Sequence, residues 1–259
     1  MISNLAHIHP NAQIGANVTI DPFSVIHDDV VIGDGTHVMS NVTIFSSSRI
    51  GKNCNIFPGA VIGAVPQDLK YRGEYTLTEI GDNTSIRECV TIHRGTTDKN
   101  TTKVGSNCLI MSYAHIAHDC IVGNNCIVVN AVQMAGHVEM GDFAIIGGSS
   151  AVHQFVKIGA HVMAGFASHI SQDVPPFMMV DGNPLAVRGL NIEGLRRRGF
   201  SPARVSAIKQ MHRLLYRQGL TLEAARACIA DLPAVHPEAA ADIALVQAFL
   251  DSSTRGIAR

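Results

Sequence analysis

The residues best placed for chemistry form the run His115-Ile116-Ala117-His118-Asp119, followed at a distance by His137 and His153. An imidazole beside a carboxylate can have its cationic form stabilised and its ring orientation fixed, which suits it to take a proton from a substrate hydroxyl. A lone histidine on a polar surface is most simply a surface or seam residue. Four that converge on one place read as a proton-transfer site. Gly136 lies 18 positions after His118 and Gln154 lies 18 after Gly136, with His137 and His153 beside them. These residues meet only if the chain returns to the same place every 18 residues.

The elements that would achieve this are visible as a strict repeat. An aliphatic residue recurs every sixth position from Ile8 through Ile14, Ile20 and Ile26 to Ile62, and the same phase continues to Ile170. Only Asp68, Glu74 and Asp98 break the phase, marking loops near residues 64–79 and 94–103. Four residues after each aliphatic comes a small or β-branched side chain, such as Ala12, Val18, Ser24 and Val30. A helix with 3.6 residues per turn scatters a six-residue period around its axis, whereas short strands joined by tight corners keep it in register. Three hexads per turn make a parallel β-helix whose coils stack at about 4.8 Å. The period does not fix the hand of the coil.

The rhythm ends near Pro175, Pro176 and Pro184, since proline removes the donors that further rungs need. Ser201 before Pro202 has the form of a helix N-cap, and Val205, Ile208, Met211 and Leu215 follow helical spacing. Thr221 and Pro237 open two further helical patterns. The expected division is a β-helical domain over residues 1–186 and a small α-helical domain over residues 187–259.

Composition narrows the class. A net charge of -1 gives no field to attract nucleic acid, and no apolar stretch approaches the length of a transmembrane span. The start MISNLAHIHP lacks the basic and apolar regions of a secretion signal, so a cytoplasmic location is expected. Cys54, Cys108 and Cys126 are separated by multiples of 18 and the chain has no CxxC pair, so the cysteines are read as reduced core thiols.

The runs QDLKYRGE (67–74), IRECVTIHRGT (86–96), AHIAHDC (114–120), AIIGGSSAVHQFVKIGAHVM (144–163), QDVPP (172–176) and NIEGLRRRGF (191–200) resemble those of the UDP-N-acetylglucosamine O-acyltransferase family. The resemblance spans nearly the whole chain. It implies a left-handed β-helix, a homotrimer, no cofactor or metal, and two substrates: UDP-N-acetylglucosamine and a 3-hydroxyacyl chain on acyl carrier protein. By the same resemblance His118 is the general base, Asp119 its orienting partner and the Gly136 N–H an oxyanion donor. Asp68, Lys70, His115, His137, His153 and Gln154 are implied to contact the sugar and acyl groups. Asn191 and Glu193 are implied near the uridine, and Arg197 and Arg198 near the diphosphate. Phe166 occupies the position that limits acyl-chain length, which is Gly in some members. The acidic carrier is expected to dock on the basic face of Arg204, Lys209, Arg213 and Arg217.

Two other readings are open at this stage. Hexapeptide-repeat carbonic anhydrases collect three histidines on zinc, but their ligand spacing differs from His-Ile-Ala-His and they leave the arginine tail idle. Some relatives acylate a 3-amino sugar nucleotide, and the sequence does not separate the two acceptors.

Overall fold

The computed structural model describes residues 1–259. Its strands are mostly two residues long and pair in parallel with strands one coil away, forming three sheets of nine, eight and ten strands. The first face begins at His7–Ile8, the second at Gln13–Ile14 and the third at Thr19–Ile20. Each successive hexad moves to the next face. Inward Ile26, Ile44, Ile62, Ile92 and Ile116 follow one another up the first face, all fully buried. Burying a side chain of this size contributes about 1.5–3 kcal/mol, so the rod gains stability with every coil.

Corners explain how so short a repeat turns. The second residue of nearly every corner has a left-handed backbone, at Asn17, Asn41, Asn53, Asn83 and Asn125 among others. Asparagine tolerates that region better than most side chains. The first corner residue needs no N–H for the ladder, and Pro10, Pro22, Pro58 and Pro176 all occupy it. Inserted residues do not disturb the stacking. Asp82 holds the backbone N–H of Lys52 across 30 positions, and Ser106 holds that of Asp82 across 24, instead of the 18 between Asn124 and Ser106. The extra residues leave as the two loops.

After the last coil, strands Met178–Asp181 and Ala186–Leu190 form an antiparallel hairpin on the third face. Four helices follow: α1 (Ile192–Arg197), α2 (Pro202–Tyr216), α3 (Leu222–Ala230) and α4 (Ala240–Ser252). Ser201 and Thr221 cap α2 and α3 through their side chains, as the sequence predicts. The third helical pattern starts with a single 3-10 turn at Pro237–Ala239 before α4.

All six cysteines are free, but only four are core residues. Cys54, Cys108, Cys120 and Cys126 are buried, whereas Cys89 and Cys228 are exposed. Cys89 sits at a left-handed corner (φ 56°), where the side chain faces away from the core.

Candidate active site

His118 and Asp119 are the two corner residues between the first and second faces, following strand His115–Ile116. The same corner one coil on is Gly136-His137, and the next is Gln154-Phe155. The column expected from the 18-residue period is therefore present. His118 Nδ1 lies 2.8 Å from Asp119 Oδ2, and Asp119 is fully buried.

The carboxylate is held from several directions. Oδ1 accepts the backbone N–H groups of Thr96 (2.9 Å) and Lys99 (3.2 Å), and Oδ2 accepts the Thr96 hydroxyl (2.6 Å). Burial alone would raise its pKa, but hydrogen bonds from His118 and Thr96 and from the two backbone amides bring it down to about 2. Asp119 thus carries no proton near neutrality. The shared proton must belong to His118 Nδ1, which leaves the Nε2 lone pair as the base.

Gly136 packs directly on that imidazole. A Cβ at this position would stand 2.6 Å from His118 Cε1 and 2.7 Å from Nε2. Its N–H is a first-corner donor with no acceptor in the chain, in the position that proline takes elsewhere. A free donor and a free base thus lie side by side.

His137 meets His118 edge to face with centroids 5.0 Å apart, and stacks on Phe155 at 4.3 Å. Asp98 Oδ2 is 3.0 Å from its Nδ1, and Asp119 Oδ2 is 3.9 Å from its Nε2. Asp68 Oδ2 comes within 4.0 Å of His118 Nε2. The two loops close over this corner around a cavity of about 240 Å³, lined by Asp68, Lys70, Tyr71, Glu74, Thr96, Thr97, Asp98, His137 and Phe155. A larger cavity of about 700 Å³ lies between the coil and α4, beside Met140, Ile158, Leu245 and Phe249. It contains neither His118 nor Asp119.

Other predicted residues fall nearby or elsewhere. His115 points outward from the first face, 2.7 Å from the Thr91 hydroxyl, and burial followed by the neighbouring His118 lowers its pKa. His93 packs against it with centroids 4.8 Å apart and is driven to about 4, first by burial and then by His115 and His118. Both rings are held neutral beside the base. His153 and Gln154 are exposed two coils above the base, with His153 Nδ1 3.1 Å from the Gln154 carbonyl. Lys70 is exposed, and its backbone N–H closes a turn on Asp68.

The arginine tail sits on a different edge, between the second and third faces. Arg198 donates to the Phe143 carbonyl at 3.0 Å and lies over that ring. Glu193 is forked by Arg196 and Arg197, whose hydrogen bonds lower its pKa to about 2. Asn191, implied near the uridine, also has a role in the fold. Its Oδ1 caps α1 at Gly194 and its Nδ2 donates to the His161 carbonyl. Arg204 is likewise engaged, forked on buried Asp242 at 2.7 and 2.8 Å and stacked over Phe200. Lys209 and Arg213 remain exposed on α2, as does Arg217 at its C-cap. Phe166, 74% exposed, occupies the third edge.

Thr96, Asp98 and Lys99 were not expected in the site. Their sequence signals are the second lapse in the repeat and, for Thr96, its place at the end of the run IRECVTIHRGT. The ligand atoms of His118, Asp119 and His137 lie within 4.8 Å of one another, as a metal site would require. The four donors already on Asp119 leave that carboxylate little capacity for an ion. The donor set fits proton transfer better than metal ligation.

The rod and its corner dyad define a hexapeptide-repeat transferase. The bacterial transferase hexapeptide family model matches residues 11–46 and 101–136, and the second-domain model of UDP-N-acetylglucosamine O-acyltransferases matches residues 173–258. The acyl-[acyl-carrier-protein]–UDP-N-acetylglucosamine O-acyltransferase of Verminephrobacter eiseniae is 58% identical over 98% of this chain and 100% of its own length. The crystal structure of the UDP-N-acetylglucosamine acyltransferase of Bacteroides fragilis superimposes with a TM-score of 0.95, at 47% identity and full coverage of both chains. That of Francisella novicida gives 0.96 at 41% identity, over 100% of this chain and 94% of that one. The chain belongs to the acyl-[acyl-carrier-protein]–UDP-N-acetylglucosamine O-acyltransferase family, and its coil has the left hand of that fold.

Proposed function

We infer that this protein transfers a 3-hydroxyacyl chain from acyl carrier protein to the 3-hydroxyl of UDP-N-acetylglucosamine, the first step of lipid A biosynthesis. The observation that carries the chemistry is the pairing of the His118 Nε2 lone pair with the unpartnered Gly136 N–H on one corner. His118 takes the proton of the sugar hydroxyl as its oxygen attacks the thioester carbonyl. Gly136 donates to the resulting oxyanion. Collapse expels the carrier thiolate, which recovers the proton from the His118 imidazolium, and Asp119 stabilises that cation in between. Asp68, Lys70, His115, His137, His153 and Gln154 surround the place where sugar and acyl group meet. Incubating purified protein with UDP-N-acetylglucosamine and a panel of 3-hydroxyacyl carrier proteins, with products identified by mass, tests the reading. Turnover only with a 3-amino sugar nucleotide would overturn it.

Three site groups occupy three different edges of one rod, so a substrate reaching all of them must lie between subunits. A homotrimer of parallel rods brings unlike edges together. Its support here is the outward column Leu109, Ile127, Ile145, Met163 and Met179, five apolar side chains in register on the third face. Asn191, Glu193, Arg197 and Arg198 would meet the nucleotide, Asn191 from the N-cap of α1. No helix is long and apolar enough to cross a membrane, and a cytoplasmic enzyme is the reading that soluble substrates favour.

Phe166 lies over Gly148, whose added Cβ would be 3.5 Å from the ring. A ring there closes an acyl groove. Phe166→Gly is expected to shift the preferred substrate by two or more carbons, about 0.8 kcal/mol per added buried methylene. Competition assays with carriers of graded chain length measure this, and an unchanged preference would refute it. Exposed Lys209, Arg213 and Arg217 are the face offered to the acidic carrier. Charge reversal at Arg213 and Arg217 should raise the carrier KM several-fold and leave that of the sugar nucleotide unchanged.

A further inference from the structure

We propose that Thr96 is a positioning residue for the general base, acting on His118 through Asp119; this deepens the functional reading above and rests on it. The argument begins with what an ionised carboxylate can do. It accepts hydrogen bonds but fixes no direction by itself, so its rotation about Cβ–Cγ is set by its donors. Thr96 supplies one donor to each oxygen: its N–H to Oδ1 at 2.9 Å and its hydroxyl to Oδ2 at 2.6 Å. That two-point grip defines the carboxylate plane. Oδ2, the oxygen fixed by the hydroxyl, is also the one facing His118 Nδ1.

Thr96 is itself immobilised. It is buried, and its carbonyl accepts the N–H of Asn100 at 2.8 Å. Three residues on, Lys99 adds its own N–H to Asp119 and pins the loop to the second face, its Nζ 2.7 Å from Glu139, which is 3.5 Å from Lys157 Nζ. Asp119 in turn donates its N–H to the Thr102 hydroxyl at 2.8 Å. The six-residue insertion thus leaves the rod, grips the carboxylate and rejoins the ladder. Thr96 touches no reacting atom in this arrangement.

Removing the hydroxyl frees Oδ2 to rotate away from His118, so Nδ1 loses its obligatory partner and part of the histidine population adopts the Nε2–H tautomer, which is not a base. Thr96→Val is expected to lower kcat by about 10- to 100-fold, the scale of a hydrogen bond to a charged group. KM for UDP-N-acetylglucosamine should stay within about twofold, and Thr96→Ser should restore most of kcat. The direct readout is the 15N chemical shifts of the His118 ring in the full-length, substrate-free protein. Wild type and Thr96→Ser should show the Nδ1–H form, and Thr96→Val a mixture. If Thr96→Val does not fold, Thr96→Ala against Thr96→Ser makes the same comparison. Retention of the Nδ1–H form without the hydroxyl, or equal loss of kcat in the serine and hydroxyl-free variants, would overturn the proposal. Because the ring shifts are read without substrate, an inactive wild type would sink the functional reading and leave this test intact.

Discussion

His118→Ala lowers kcat for acyl transfer by roughly 10²- to 10⁴-fold, the usual contribution of a positioned general base. The size follows from the absence of a substitute. His115 and His93 are held neutral by burial and lie on the first face, with His115 turned to Thr91. His137 has Asp98 against Nδ1 and Phe155 against its face. Asp119 cannot replace the base, since a carboxylate near pKa 2 binds a proton too weakly at neutral pH. Stability should change little. Asp119 keeps three of its four donors, and the core aliphatics are untouched. Steady-state kinetics with thermal melting checks both halves, and activity within tenfold of wild type would move the base elsewhere.

Position along the rod was legible because it is arithmetic. Once Ile116, Met134 and Val152 share a phase, the corners after them must stack, and His118, Gly136 and Gln154 follow. What the period could not convey was direction and commitment. Asn191 and Arg204 look like free polar groups in sequence, yet one caps a helix and the other is forked on a buried aspartate more than thirty positions away. Helix packing in the tail has no translational repeat, so no counting rule finds such partners. The second loop shows the opposite limit. Asp98 breaks the phase as plainly as Asp68 does, but only the folded loop shows Thr96 turned back onto Asp119. A lapse in the pattern marks where the chain leaves the rod and says nothing about where it returns.

The left-handed corners carry a functional consequence as well. Asp119, His137 and Phe155 have φ of 59°, 63° and 65° in successive coils. That region costs non-glycine residues about 1–2 kcal/mol each. Asparagine, the cheaper choice, fills many corners away from the site. Spending this strain on an aspartate, a histidine and a phenylalanine gains a fixed column of side chains beside the base, rigid because the backbone on each side is laddered.

Gly136→Ala is the sharpest test of how closely the coils bring the base to its oxyanion donor. Gly136 is not among the left-handed positions, so alanine suits its backbone, and reduced freedom in the unfolded chain favours the variant by about 0.4–1 kcal/mol. The obstacle is local. The new methyl would lie 2.6 Å from Cε1, 2.7 Å from Nε2 and 3.2 Å from Nδ1, along one whole side of the His118 ring. The ring must move by about 1 Å, and a displacement of that size at a reacting group costs on the order of 10²-fold in rate. The N–H itself survives the substitution, so the loss reports the base's position and not removal of the oxyanion donor. Activity and stability therefore part company: kcat falls about 100-fold while the melting temperature stays within a few degrees. Kinetics, melting and the His118 ring shifts together decide the matter. A variant with near wild-type kcat would mean that the imidazole has room to spare, and that the glycine is there for some reason other than contact with the base.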